Sequence, residues 1–391
     1  MRRALALVGV LTLACAALER GAGAQDAPLG RAIPIEDPTG AVLPRVHRAL
    51  RRAERDEGVA RLAFWGASHT ASDQYPGFLR ERLIRRFGDG GHGLVMPAMP
   101  FPLYARRDLA IAGAGWTGLA VRGRERRPDR YGRAGYALET AARASARVQI
   151  GDRRPVRHVE AWALAQPGGG TVSLAVDGAE VRSGSSAGAP GSIYLEADVE
   201  RARRVEVRAS GDGPVRLFGV LLESGAPGVI VESFGVPGAR ARDQLPWHEP
   251  TLREQIARRP PDLVALAYGT NESGDRTPLA ALDRDLREVI ARWRAIAPDA
   301  AILVIGPSDW PQLRAGAYAI RARTTQVRDL YRRTALSAGC GFFDLLAFQG
   351  GPGSIPRWVS AGLALDDHVH LTDDGHARLA AVLERALLAG Y

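Results

Sequence analysis

The sequence predicts an α/β fold built on a parallel sheet and interrupted early by an antiparallel β-sandwich. Three observations carry this. Short, nearly continuous apolar runs such as "VARLAFWG", "PDLVALAYG" and "AILVIGP" alternate with amphipathic segments, as strands do when helices cover both faces of a sheet. Between residues 95 and 228 that rhythm gives way to short alternating runs: "ASARVQIG", "RHVEAWALA", "GTVSLAVDG", "SIYLEADV", "RRVEVRASG" and "PVRLFGVLLE", separated by Gly, Pro and Ser clusters. Such spacing, without a convincing helix, belongs to a sandwich. After Gly228 the α/β rhythm returns. The expected organisation is one α/β domain in two parts, residues 25–94 and 229–391, with residues 95–228 inserted after its first strand-helix unit.

The elements follow in order. "MRRALALVGVLTLACAAL" has two arginines and then an apolar run too short for a comfortable span, and Ala22-Gly23-Ala24 precedes Gln25. That is the form of a secretory signal, residues 1–24. A lipoprotein signal ending at Cys15 ranks second, because Thr12 stands where a larger aliphatic residue is usual. A retained anchor ranks third, and no internal stretch is long and apolar enough to cross a bilayer. "VARLAFWG" is the first strand. "YPGFLRERLIRRFG" is a helix with Phe78, Leu79, Leu83, Ile84 and Phe87 at helical spacing, closed by the glycines of "GDGGHG". In the insert, Val172, Leu174 and Val176 share one face of a strand while Ser173, Ala175 and Asp177 share the other. Beyond it, "GVIVESFG" is a strand and "DQLPWHEPTLREQIARR" a helix interrupted by proline. "PLAALDRDLREVIARWRAIA" and "YAIRARTTQVRDLYRRTALSAG" are helices, "GCGFFDLL" is a strand, and "DDGHARLAAVLERALLAG" is a closing helix.

Composition narrows the function classes. Hydrophobic residues make up 46% and charged residues 24% of 391, an ordinary globular balance. The formal net charge is +9, and all 52 basic side chains are arginine. Removing residues 1–24, with three arginines and one glutamate, leaves +7. A GC-rich coding bias explains the arginines most simply. The functional reading is attraction to an anionic polymer such as an acidic envelope glycan. Nucleic acid fits poorly, because the arginines are scattered and not interleaved with aromatics. The two cysteines are Cys15 and Cys340. Once the signal is cleaved no internal disulfide can form, and Cys340 within "GCGFFDLL" reads as a packed, inert thiol.

In a parallel α/β sheet, function gathers at the C-terminal ends of the strands. The first strand ends on Gly66, Ala67 and Ser68, and the strand after the insert ends in "SFGVPGAR" with Gly235 and Gly238. The next ends in "YGTNES" with Asn271, and "DDHVHLT", with Asp367 and His370, precedes the last helix. Together they supply each role that ester hydrolysis needs. Ser68 is the candidate nucleophile and His370 its base. Asp367, three residues before the histidine, can hold the imidazole tautomer. The backbone N–H groups of Ser68 and Gly238 and the Asn271 amide are candidate oxyanion donors. No cofactor is needed. Asp366, Asp367, His368 and His370 lack a partner cluster that would make a metal site. His69 and His368 receive no role, and His92 either lies near the cleft or finishes a turn. Trp116, Trp162 and Tyr194 in the insert default to packing over sugar stacking.

This set of blocks, "GAS", "FGVPG", "GTN" and "DHVH", resembles the SGNH (GDSL-type) hydrolase family over residues 59–94 and 229–391. The resemblance implies a flavodoxin-like three-layer α/β/α sandwich and a Ser-His-Asp esterase with Ser68, Asp367 and His370 catalytic. It departs from the family at Ala67, where an Asp is usual; the familiar G-x-S-x-G elbow is also absent, Thr70 standing where its second glycine would be. The placement of the insert, with "SHTASD" and "GDGGHG", resembles bacterial peptidoglycan O-acetylesterases carrying a jelly-roll-like, carbohydrate-binding-like insert. The implied function is an exported, periplasmic or extracellular acetylesterase acting on an acetylated envelope glycan. The alternatives are an O-acetyltransferase using the same residues and a glycan-binding protein with a decayed hydrolase domain.

Overall fold

The computed structural model describes residues 29–122, 130–151 and 154–391. The expected signal segment 1–24, with Cys15, lies outside them. No helix among the described residues is long and apolar enough to cross a membrane.

The first unit is α1 (Leu43–Glu54), β1 (Val59–Gly66), the single turn α2 (Ser68–Ala71) and α3 (Gln74–Phe87). Helix α1, which the sequence reading did not name, has Pro44 in its first turn and buries Val46, Ala49, Leu50 and Ala53, one stripe at helical spacing. The chain then enters ten strands that contribute to two antiparallel sheets: β2 (Gly91–Val95), β3 (Leu109–Ala114), β4 (Thr117–Ala120), β5 (Tyr136–Thr140), β6 (Arg143–Ile150), β7 (Val156–Ala165), β8 (Thr171–Val176), β9 (Ala179–Ser185), β10 (Gly191–Ala202) and β11 (Arg204–Ser210) precede β12 (Val215–Glu223). One sheet runs β10-β7-β12-β5-β4 with β2 on β12, and the other β3-β6-β11-β8-β9. Strand β2 straddles residues 94 and 95, where the insert was expected to begin.

The parallel sheet resumes with β13 (Gly228–Gly235), followed by α4 (Glu249–Arg258), β14 (Leu263–Ala267), α5 (Thr270–Ser273), α6 (Leu279–Ile296) and β15 (Ala301–Ile305). A hairpin, β16 (Gln312–Arg314) and β17 (Ala317–Ala319), comes next, then α7 (Ala322–Ser337), β18 (Gly341–Phe343), α8 (Leu345–Gln349), α9 (Ile355–Ser360) and α10 (Asp373–Leu387). The sheet order is β13-β1-β14-β15-β18, all parallel. Counting those strands in chain order gives the doubly wound, flavodoxin-like order. The helix expected from Tyr318 begins instead at Ala322. Ala315 (φ 46) and Gly316 (φ 79) form a positive-φ turn that pairs Gln312 with Ala319, the geometry of a tight hairpin.

Strand alternation splits the core in two. On β1, Leu62 and Phe64 face α1, α3 and α10, where they meet Leu50, Leu83 and Leu383. Ala63 and Trp65 face the other way, toward Leu286 and Trp293 of α6, and that cluster runs on without a break into the sandwich at Trp162 and Leu217. The two parts are also joined by a buried ion pair. Arg133 donates to Glu232 of β13 at 2.9 Å with both side chains fully buried. Trp65 Nε1 donates to the Arg133 carbonyl at 2.7 Å, and the Leu94 N–H donates to Glu232 at 2.9 Å.

Candidate active site

Strands β1, β13 and β14 end level, with Gly66 opposite both Gly235 and Ala267. Ser68 therefore opens α2 directly above the sheet edge. The approach is close: a Cβ on Gly235 would lie 2.1 Å from the Ala71 nitrogen and 2.6 Å from the Ala67 oxygen. Only glycine lets this turn settle on β13. Ala67 occupies the N-cap without a side-chain cap. Its carbonyl accepts from Thr70 and Ala71 at 3.0 and 2.9 Å. The turn is tied further by Ser233, whose hydroxyl donates to the Thr70 carbonyl at 2.6 Å, and by the Thr70–Tyr75 hydroxyl pair at 3.1 Å. These contacts hold the turn where a carboxylate at position 67 is missing.

The loop before α10 brings the other expected groups to Ser68. His370 Nε2 lies 2.8 Å from Ser68 Oγ, and His370 Nδ1 lies 2.6 Å from Asp367 Oδ2. The second Asp367 oxygen accepts the backbone N–H groups of Val369 and His370, each at 2.9 Å. Burial pushes the Asp367 carboxyl up, but these hydrogen bonds outweigh it and hold the group below the usual carboxylate range. An ionised Asp367 accepts the Nδ1 proton, which leaves Nε2 free to accept from the serine hydroxyl.

Two flanking histidines shape that loop. His69 Nε2 donates to the Val369 carbonyl at 3.0 Å. Burial, reinforced by His370 nearby, lowers its pKa to about 4, so it sits there neutral. His368 adopts a left-handed φ of 56°, and its Nδ1 donates to the Asp366 carbonyl at 2.8 Å. His92 is fully buried, with Nδ1 2.7 Å from Asp108, and it does not line the cleft. Trp162 is fully buried and meets the Tyr194 ring edge-on, while Trp116 packs half-buried against the core.

Gly238 has a φ of 74°, and a Cβ there would meet only Arg122 Nε, at 3.9 Å. Its conformation, not crowding, calls for glycine. Asn271 lies in the single turn α5, and its amide donates to the Ala239 carbonyl at 3.0 Å, which ties it to the Gly238 loop. Neither Gly238 nor Asn271 hydrogen-bonds to Ser68. Among the described residues, no protein acceptor meets the backbone N–H of Ser68 or of Gly238. The sequence reading missed Glu272, beside Asn271. This buried carboxylate accepts from the backbone N–H groups of Gly269 and Ala241 and from the Tyr331 hydroxyl, each at 2.9 Å. It fastens the two loops to each other. An acidic residue directly after "GTN" was the available signal.

The cleft around these groups has a volume of about 660 Å3, and its walls include Ser68, Leu103, Tyr104, Pro237, Asp367 and His370. One further cluster among the described residues, His158, Glu160 and Glu196, has metal-ligand character. Its carboxylates already accept from arginines. Arg258 reaches Glu160 at 2.7 Å and Glu196 at 2.5 Å, and Arg259 reaches Glu160 at 2.5 Å. Its histidine is raised to about 9 by the Glu160 hydrogen bond, outweighing desolvation. With the arginines in place, the cluster forms an ionic tie between β7, β10 and α4.

Comparison with known proteins follows the same lines. The model of the GDSL-like lipase/acylhydrolase family matches residues 198–378, a span holding Gly238, Asn271, Asp367 and His370 but not Ser68. No curated protein matches the sequence. Among solved structures, a peptidoglycan O-acetylesterase is similar at a TM-score of 0.76 and 24% identity, covering 90% of this chain and 96% of that one. An acetylxylan esterase from Geobacillus stearothermophilus overlaps 41% of this chain and 74% of its own, at 20% identity and a TM-score of 0.32. Another acetyl xylan esterase covers 40% of this chain and 79% of its own, at 17% identity and 0.32. The first similarity spans the sandwich as well as the parallel sheet; the other two are partial.

Proposed function

We propose, on the premise that the chain belongs to the GDSL-like lipase/acylhydrolase family through residues 198–378, that it is an exported serine esterase removing O-acetyl groups from a cell-envelope glycan, peptidoglycan first. The observation that carries this reading is the continuous hydrogen-bonded chain from Asp367 through His370 to Ser68. Ser68 Oγ attacks the acetyl carbonyl and passes its proton to His370 Nε2. Asp367 stabilises the imidazolium and keeps its ring in register. The carbonyl oxygen becomes an oxyanion. The Ser68 and Gly238 N–H groups and the Asn271 amide are its donors, each worth roughly 3–4 kcal/mol of barrier. As the tetrahedral adduct collapses, the C–O bond to the sugar breaks and His370 gives its proton to the departing hydroxyl. Water then attacks the acetyl-enzyme, with His370 again as base. Acetate leaves, and Ser68 recovers its proton.

The glycan assignment is supported by the likeness to a peptidoglycan O-acetylesterase over nearly the whole chain. Export is supported by the signal-like residues 1–24. The test is acetate release from O-acetylated peptidoglycan, run beside acetylated xylan and a longer-chain ester. Peptidoglycan should be the preferred substrate. A clear preference for xylan or for the longer acyl chain would overturn the substrate, and no acetate from any of them would overturn the reading.

A further inference from the structure

We propose that the sandwich segment Phe101–Ala105 forms the alcohol-side wall of the cleft, and that Leu103 grips the apolar face of the sugar carrying the ester. The inference rests on the glycan-deacetylase reading above and names the residue that recognises the glycan.

Leu103 bears two costs at once. It takes a left-handed φ of 69°, which a side-chain-bearing residue avoids. The residue is also 82% exposed, although leucine gains from burial. It is not part of a loose loop. Tyr104, directly after it, is buried, accepts the Met96 N–H at 2.9 Å and meets the rings of Phe101 and Tyr136 edge-on. Two residues further on, Arg106 is buried between Asp73 and Asp108 at 3.4 and 3.3 Å and donates to the His92 carbonyl at 3.2 Å. Asp73 also receives Arg80 at 2.7 Å and sits at the start of α3, five residues after Ser68. The segment is thus anchored to the turn that carries the nucleophile, and Leu103 is held out beside the buried Tyr104. Strain kept in place by its surroundings is characteristic of a binding element.

The cleft decides what Leu103 touches. Its walls include both Leu103 and Leu365, the latter 47% exposed and on the loop of Asp367 and His370. Both leucines line the cleft and are solvent-exposed, which marks its mouth. The acetyl group reacts at Ser68 and fills little of the roughly 660 Å3. The mouth therefore receives the alcohol part of the ester, and a sugar ring offers leucine its C–H face.

The experiment compares wild type, Leu103→Gly, Leu103→Asp and Leu103→Met on O-acetylated peptidoglycan and on methyl acetate, whose one-carbon alcohol leaves Leu103 untouched, with melting temperatures. Leu103→Gly relieves the backbone strain and removes the side chain, so its melting temperature should hold or rise. On the small ester all variants should stay within about twofold of wild type, while Leu103→Asp should lose about tenfold in kcat/KM on the polymer and Leu103→Met should retain it. Unchanged polymer activity in Leu103→Asp, an equal loss on both substrates, or a lowered melting temperature in Leu103→Gly would each overturn the role of Leu103. Wild-type protein that cleaves the small ester but frees no acetate from the polymer would instead overturn the glycan reading, and the proposal with it.

Discussion

The ring of Tyr318 lies nearly flat on that of His368, with centroids 3.7 Å apart and planes 22° from parallel. His368 is the strained residue between Asp367 and His370, and Tyr318 belongs to the exposed hairpin β16–β17. The stack thus ties a surface hairpin to the loop that carries Asp367 and His370. Such a ring pair is worth about 0.5–1.5 kcal/mol. Tyr318→Ala should lower kcat/KM on a small acetyl ester roughly two- to tenfold, and Tyr318→Phe should not. The melting temperature should barely change, since Tyr318 is 47% exposed. Full activity in the alanine variant would show that the loop holds its geometry alone.

Gly235 makes a sharper prediction. Its missing Cβ leaves room for the backbone of Ala67 and Ala71, so Gly235→Ala must push α2, and Ser68 with it, off the sheet. A displacement near 1 Å at a nucleophile can cost about a hundredfold. Steady-state kinetics on a small ester should show a loss of that order together with a lower melting temperature. Activity close to wild type would mean that the turn can relax without moving Ser68.

The ionic tie at His158 predicts a pH effect of defined sign. His158 lies 2.9 Å from Glu160 and 2.7 Å from Asp198. The Glu160 hydrogen bond, outweighing desolvation and joined by that of Asp198, raises the pKa from 6.5 to about 9, although Arg259 lies 3.3 Å from His158 Nε2. The folded state therefore holds more protons than the unfolded chain between these values. The contribution is complete below pH 6.5 and is lost as the pH rises toward 9. His158→Gln should flatten the decline of melting temperature across this window. Identical slopes in the two proteins would remove His158 from the account.

The sequence carried some of these features plainly and others not at all. Strand ends were legible because buried parallel strands read as apolar runs broken by glycine, which put Ser68, Gly235, Asn271 and the Asp367–His370 loop at one sheet edge. The end of the hairpin's second strand was read as the start of a helix, and its first strand was not read at all, because each strand has three residues, too few to show a period. The support of the site was illegible for another reason. Arg106 meets Asp73 across the boundary between the parallel sheet and the sandwich, and Glu272 binds a loop some thirty residues away. Pairings of that kind depend on topology. The strain at Leu103 and His368 runs against local preference, so local preference could not reveal it.

The central claim is that Ser68 takes the acyl group with His370 as its base, and covalent capture tests it most directly. The protein would be treated with a phosphonate ester that reacts irreversibly with activated serines, and the modified peptide mapped by mass spectrometry. The account predicts a single label on the peptide containing Ser68, none in Ser68→Ala, and greatly slowed labelling in His370→Ala. Labelling at another residue, or undiminished acetate release by Ser68→Ala, would contradict it.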